Sequence, residues 1–351
     1  MAEAERTVLV TGVSGNLGIR LLPMLSGFRV VGVDVRPPDT PHPVLFEQAD
    51  LAREACCFQL IDLLRKTGAR SVIHLAFVLD PVRTGILDVE RMWQINVAGT
   101  ARVMEAISVV NRTGGQVQQV QQFLFPSSVS AYGPETPGPV KEDSPLRAHT
   151  LPYAIHKREA DEVVRYRAES LGDCRVYLLR PHIFTGASMQ NYMVGALRGI
   201  PLGTSKRAAY MRAQGKRLPL MLPRGKKYPE KQFQFVHVDD MARLFAYLLN
   251  RPQSDPPLTI MNVAGRGDAI AIRRCAEIAQ AEVKRVPTRT ACGVILRLLW
   301  KWKISSIPPE ALPYMIGSYT MDTTRLQQFL GVDYGRVIQY TVEEALRDSF
   351  A

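Results

Sequence analysis

Tyr153 and Lys157 stand four residues apart in Tyr-Ala-Ile-His-Lys. On a helix that spacing puts a phenol and an ammonium on one face. A free phenol titrates near 10. A neighbouring positive charge lowers that value, which makes the phenolate a usable base near neutral pH. Such pairs are also common on solvated helices, so the chemistry needs further groups. Phe125-Pro-Ser-Ser-Val-Ser-Ala-Tyr-Gly133 supplies one. It closes a predicted strand, and the carboxyl ends of parallel strands are where such sheets bind ligands. A serine hydroxyl of that stretch is placed to hold a substrate oxygen beside Tyr153. Asn96, in Asn-Val-Ala-Gly-Thr100 near a helix start, either fixes the helix backbone, holds a proton-relaying water, or caps the helix.

A second constellation concerns phosphate. Thr11-Gly-Val-Ser-Gly-Asn-Leu-Gly18 follows the first apolar run directly. Gly12 suits a tight turn, Gly15 lets backbone approach a pyrophosphate, and Gly18 lets helix and strand pack closely. Gly12, Ser14, Gly15, Asn16, Leu17 and Gly18 are therefore candidate dinucleotide contacts. Asp34 ends the next strand, 22 residues after Gly12. A carboxylate there accepts hydrogen bonds from a ribose 2′-hydroxyl, which favours NAD, while the nearby Arg36 keeps NADP as the alternative. Asp50, followed by Leu51, sits where a third strand ends. It either caps the adenine edge or is a turn aspartate.

The elements that must position these groups alternate. Thr7–Thr11, Arg29–Asp34, Ser71–Leu75, Gln122–Pro126 and Val176–Arg180 read as buried strands, with a third strand over Leu45–Ala49. Leu17–Leu25, Phe58–Lys66, Met92–Val110 and Tyr153–Ala168 read as helices. Strand–helix alternation with short links predicts an α/β fold, a Rossmann-type doubly wound parallel sheet. After Arg180 the rhythm breaks. Phe233–Val238 reads as a strand, Asp239–Leu249 as a helix, 252–258 as a loop, Ala269–Gln280 as a helix, and Pro308–Ala351 as turns with two short helices. The expected division is a cofactor domain over 1–180 to which 233–265 returns, and a smaller substrate lobe from 181–232 and 266–351. The glutamine-rich tract Gln116–Gln122 reads as a polar loop.

The chain has 351 residues, 46% hydrophobic and 22% charged, which excludes disorder and collagen-like repeats. Five cysteines without a C-x-x-C pair point to a reducing, cytoplasmic setting. The acidic start is neither a signal nor a transit peptide in kind, and no run of 18 apolar residues occurs. No cluster has zinc spacing, so no metal is expected, and His182 and His237 read as packing or hydrogen-bonding residues.

Taken in order, these motifs resemble the extended short-chain dehydrogenases/reductases, the NAD-dependent epimerase/dehydratase family. The pieces are Thr11–Gly18, Asp34, Val72-Ile-His-Leu-Ala76, Asn96–Thr100, Ser127-Ser128 with Tyr132-Gly133, Tyr153-x-x-x-Lys157, Leu179-Arg-Pro181, Phe235-Val-His-Val-Asp-Asp240 and Thr320–Leu326. The resemblance implies Ser128 as catalytic serine, Tyr153 as acid/base, and Lys157 as the residue that binds the ribose and lowers the tyrosine pKa. It implies Leu75 and Ala76 along the adenosine and ribose, Pro181 and His182 near the nicotinamide, and substrate in the C-terminal lobe. It also implies pairing of two chains through a four-helix interface built from Met92–Val110 and Tyr153–Ala168. The family's 4,6-dehydratases carry Asp-Glu straight after the catalytic hydroxyl residue. Here Val129 and Ser130 stand there, which argues against elimination of water. Its nucleotide-sugar 4-epimerases often read Arg-Tyr-Phe-Asn where this chain reads Arg180-Pro-His-Ile183. The implied activity is hydride transfer between a secondary alcohol or ketone and NAD, as oxidoreductase or epimerase. A non-catalytic nucleotide-sensing or RNA-binding protein on the same fold is the alternative.

The net charge of +11 is concentrated. Gly203–Gln232 carries nine basic residues against a single acid, Glu230. Three readings stand: a grip on an anionic substrate, a solvated loop, or a surface for nucleic acid or an anionic membrane. Only Tyr210 and Tyr228 interleave as stacking aromatics, which weighs against RNA. Cys292–Ile304 is apolar with Arg297, Lys301 and Lys303. It reads as a core-facing helix of the lobe, or as a segment that rests on a membrane or gates a lipophilic substrate.

Overall fold

The computed structural model describes residues 6–80, 82, 85, 87–113 and 118–351. The acidic start and the first two residues of the glutamine tract lie outside these.

Seven parallel strands form the main sheet. In chain order the strands are β1 (Thr7–Thr11), β2 (Arg29–Asp34), β3 (Leu45–Gln48), β4 (Ser71–His74), β5 (Gln122–Pro126), β6 (Arg175–Pro181), β7 (Ile183–Thr185), β8 (Leu220–Pro223), β9 (Gln232–Phe233), β10 (Phe235–His237), β11 (Leu258–Val263), β12 (Ile270–Ala271) and β13 (Val283–Val286). The sheet runs β11-β6-β5-β4-β1-β2-β3. The order turns back on either side of β1, which opens a crevice at the strands' carboxyl ends, where Rossmann-type sheets bind ligands. The expected doubly wound fold is present.

Alternation along the strands supplies both faces. Leu9, Val72, Phe123, Phe125, Val176 and Leu178 pack against the Cys56–Thr67, Gly99–Arg112 and Pro152–Arg167 helices. Val8, Val10, Ile73, Leu124, Tyr177 and Leu179 face the other way, onto the Val238–Leu249 helix. Leu326, Leu330, Val337 and Ile338 of the tail join this second layer. A separate core, with Leu220, Leu222, Phe233, Tyr314 and Leu346, fills the smaller lobe.

Three expectations need correcting. Phe233–Val238 is not one strand. Phe233 pairs antiparallel with Ile270, whereas Phe235–His237 pairs parallel with β7. Between them, Gln234 turns its side chain to the Met321 backbone and ends the first pairing. The loop assigned to 252–258 ends at Leu258, where β11 begins along β6. Thr259 and Asn262 interrupt its apolar run and hide the strand. The tail holds four α-helices rather than two: Leu312–Ile316, Thr324–Leu330, Tyr334–Val337 and Val342–Asp348.

Candidate active site

The Pro152–Arg167 helix begins with proline at its first turn, where no N–H is needed. Its buried residues are Ala154, His156, Lys157, Ala160, Asp161 and Val164. Three ionisable residues therefore occupy positions that an ordinary helix gives to aliphatic side chains. Asp161 meets Arg180 of β6 through two 2.8 Å bonds, one from Nε and one from Nη2. Both residues are wholly buried. Nη1 of Arg180 donates to Tyr132 Oη and to the Glu142 carbonyl, and Tyr132 donates to Asn262. This network fixes the tyrosine helix to the sheet.

Ser128 caps the short Val129–Tyr132 turn that follows β5. Its Oγ accepts from the Ser130 N–H and the Ser130 hydroxyl, at 3.1 and 2.9 Å. Its own O–H is left to donate into the cavity that Ser128 shares with Tyr153. Burial pushes the Tyr153 pKa up to about 12, and the nearby Ser128 hydroxyl opposes the rise. Lys157 was expected to hold this phenol acidic. The Lys157 Nζ donates to the Pro126 carbonyl at 2.6 Å and faces Phe77, 3.5 Å from the ring centre, but lies 6.0 Å from the centre of the Tyr153 ring. Burial lowers the lysine's own pKa to about 7, against the pull of Asp161.

Ser128, Tyr153, Pro181 and His182 line one cavity of about 110 Å³. Val129 and Ser130, where a dehydratase carries its acids, also border it. The Ile183 N–H donates to His182 Nδ1, so Nε2 carries the proton and donates to the Tyr319 carbonyl. Burial lowers the His182 pKa to about 4, keeping the ring neutral. His182 stacks on Tyr319. His237 bonds Asp348 and stacks on Tyr340. Among the described residues no group of three or more His, Cys, Asp and Glu is arranged to hold a metal.

Asn96 lies in a π-helical turn, Gln94–Ala98. Its amide accepts from the Val78 N–H at 2.7 Å and donates to the Val78 carbonyl and to His156. The Asn96 amide thus clamps the backbone of Val78 rather than that of its own helix. That clamp holds the segment after β4, which carries Phe77.

The glycine loop has the form expected of a phosphate cradle. Gly12 adopts φ +71°, and a Cβ on it would run into the backbone of Ala76. A Cβ on Gly18 would meet the Val13 carbonyl. Gly15 starts the Asn16–Leu21 helix and is exposed. Asp34 is half-buried, its carboxylate fixed by the N–H groups of Ser14 and Val35. Arg36 is exposed, and its carbonyl accepts from the Ser14 hydroxyl. Asn16 bonds Ser188 of the lobe, and Leu17 packs at the edge of the second layer. Leu75 and Ala76 follow β4 beside Gly12. Asp50 caps the Ala52 N–H and pairs with Arg91, behaving as a turn aspartate, while Leu51 is buried. Ser127 Oγ, at the end of β5, is buried and has no partner. The Gly12 cradle and this orphaned hydroxyl fit a dinucleotide laid across the strand ends.

The family model for the NAD dependent epimerase/dehydratase family matches residues 8–264. The chain belongs to that family. The curated relatives it matches are distant. A UDP-glucose 4-epimerase from Erwinia amylovora is 26% identical over 208 residues, 56% of this chain and 58% of the relative. An uncharacterized epimerase/dehydratase from Staphylococcus aureus is 24% identical over 48% of this chain and 50% of the relative. The chain thus spans little more than half the length of these relatives. Solved structures match at greater length. A UDP-glucuronic acid 4-epimerase from Bacillus cereus, in complex with UDP-glucuronic acid and NAD, superposes with a TM-score of 0.66 at 17% identity, covering 98% of each chain. A dTDP-glucose 4,6-dehydratase from Streptomyces venezuelae with NAD bound gives 0.68 at 19% identity, covering 98% of this chain and 95% of that one. These likenesses carry the fold.

Sequence reasoning missed Phe77 and the Arg180–Asp161 pair. Asp161 stands one turn beyond Lys157, as Lys157 stands one turn beyond Tyr153, and that repeat was the available signal. The basic residues of 203–232 line neither this cavity nor the larger one beside it. Part of it is the Lys206–Ala213 helix, with Lys206, Arg207 and Arg212 exposed. The apolar 292–304 stretch is mostly the Arg289–Lys301 helix. Cys292 and Leu296 are buried on one face, while Val294, Leu298 and Trp302 are exposed on the other. Among the described residues no helix is long and apolar enough to cross a membrane.

Proposed function

We propose that this protein is an NAD-dependent oxidoreductase or epimerase acting on a secondary alcohol or ketone. The observation that carries the reading is the placing of Ser128 and Tyr153 in the wall of one cavity, at the carboxyl ends of β5 and β6. Gly12, Gly15, Gly18, Asp34, Leu75, Ala76 and Lys157 would hold the dinucleotide, with Pro181 and His182 at its reactive end. The fixed carboxylate of Asp34 favours NAD over NADP. A bound dinucleotide would take up or supply hydride at the reacting carbon: net transfer with release of the ketone or alcohol is oxidoreduction, and return of the same hydride to the opposite face of the carbonyl is epimerisation.

The chain's own residues do the rest. Tyr153 Oη takes the proton of the substrate hydroxyl, or gives one to the carbonyl oxygen. Ser128 Oγ, held by Ser130, donates to that oxygen as charge develops on it. Lys157, with a pKa near 7, is poised to exchange a proton at neutral pH. Neither Val129 nor Ser130 carries an acid or base at neutral pH, so these positions lend no support to elimination of water.

The test is the absorbance of NADH with a panel of ketones and alcohols, for wild type and Tyr153→Phe. Turnover that depends on the phenol supports the assignment. Turnover indifferent to its loss removes Tyr153 from the chemistry.

A further inference from the structure

Beside the Ser128–Tyr153 cavity lies a larger one of about 300 Å³, the size of pockets that bury a small organic ligand. The two share Asn191, Tyr192 and Met315 in their walls. The larger cavity is apolar on three sides. Leu220 and Leu222 come from β8, Cys292, Leu296 and Leu299 from the Arg289–Lys301 helix, and Ile316 from the tail. Ile200 and Leu202, each 40% exposed, stand at its solvent edge.

Charge is nearly absent. Among the described residues only Asp80 and Arg198 bring ionisable carboxylate or guanidinium groups to its lining. The Arg198 guanidinium is spent on the carbonyls of Met189, Ala187 and Ser349. A nucleoside diphosphate carries at least two negative charges, and burying them without cations or aimed donors is costly. None of the nine cations of 203–232 is among the residues that line the cavity.

We infer that the larger cavity takes the uncharged, lipophilic body of the substrate, an alkyl or aryl chain attached to the carbon that reacts at Tyr153, and not a sugar nucleotide. This rests on the oxidoreductase reading above and names its substrate class.

The test separates the two. The full chain with NAD is titrated with N-phenyl-1-naphthylamine, an uncharged fluorescent probe, which is then displaced by 2-alkanones from 2-butanone to 2-dodecanone. One probe per chain is expected. Each added methylene is expected to tighten displacement about fourfold, the value for burying one methylene, until the cavity is full. Leu296→Trp fills the cavity and flattens this dependence. Leu202→Lys, at the exposed edge, weakens the long ketones and guards against a variant that does not fold. Affinity independent of chain length, or displacement by UDP-glucose at lower concentration than by 2-dodecanone, overturns the inference. NADH oxidation with the same ketones is read in parallel. Chain-length-dependent displacement without oxidation rejects the enzyme reading and keeps the cavity. Oxidation of short ketones with flat displacement does the reverse.

Discussion

The Lys157 ammonium stands 3.5 Å from the centre of the Phe77 ring, and the same ring meets Tyr153 edge-on at 5.7 Å. One aromatic side chain thus touches both members of the helical pair. Its face attracts the cation, but its bulk excludes water, and burial is the larger influence on Lys157. Phe77→Ala is therefore expected to raise the Lys157 pKa above 7. The pH profile of kcat/KM should shift to higher pH by the same amount. An unchanged or lowered profile would show that attraction to the ring, not exclusion of water, dominates.

Lys157 also links stability to pH. Its folded pKa lies near 7, below the ordinary lysine value. Between these values the unfolded chain binds a proton that the folded chain does not, so stability rises with pH there. The slope approaches ~1.4 kcal/mol per pH unit at most. From pH 7 to 8.5, below the range where buried cysteines and tyrosines titrate, wild type should gain stability relative to Lys157→Met. Denaturant melts of both proteins at several pH values measure the difference. Parallel curves would refute it.

Tyr153→Phe keeps the ring's contact with Phe77 and removes the proton donor. Turnover should fall by about 10²–10⁴, the range for acid–base groups, while NADH binding stays intact. Fluorescence titration of the cofactor separates the two effects.

Gly12→Ala puts a methyl group into the backbone of Ala76 at a left-handed φ. Strain of about 1–3 kcal/mol is expected, read as about tenfold to hundredfold weaker NADH binding. Gly27→Ala meets nothing within 4 Å and is the control.

Arg180→Met leaves the Asp161 carboxylate buried without its partner. The expected loss is about 3–5 kcal/mol of stability. The double variant with Asp161→Leu should recover most of it. A double variant no better than the single would show that the Tyr132, Glu142 and Asn262 bonds carry the network.

The first half of the molecule was legible because its strands are short apolar runs and its glycines mark one turn. Tyr153 and the Gly12 loop stood out by spacing, whereas Ser128 was singled out only by the family resemblance. The missed strand β11 hides its apolar run behind Thr259 and Asn262, which serve packing and the Arg180 network. Spacing fixes the helix face that Lys157 and Tyr153 share but not where an amine on a flexible stem points, so its contacts with the Pro126 carbonyl and Phe77 were not legible. The role of the basic segment stayed open because composition records charge without direction. The apolar cavity was invisible because its walls come from β8, the 192–198 and 289–301 helices and the tail, which only the fold brings together.

The Arg180–Asp161 bond has a consequence for the solution around the protein. Ions in the medium weaken contacts they can approach, and this one is sealed from them. The tie between the sheet and the helix that carries Tyr153 is therefore screened by salt far less than a surface pair would be.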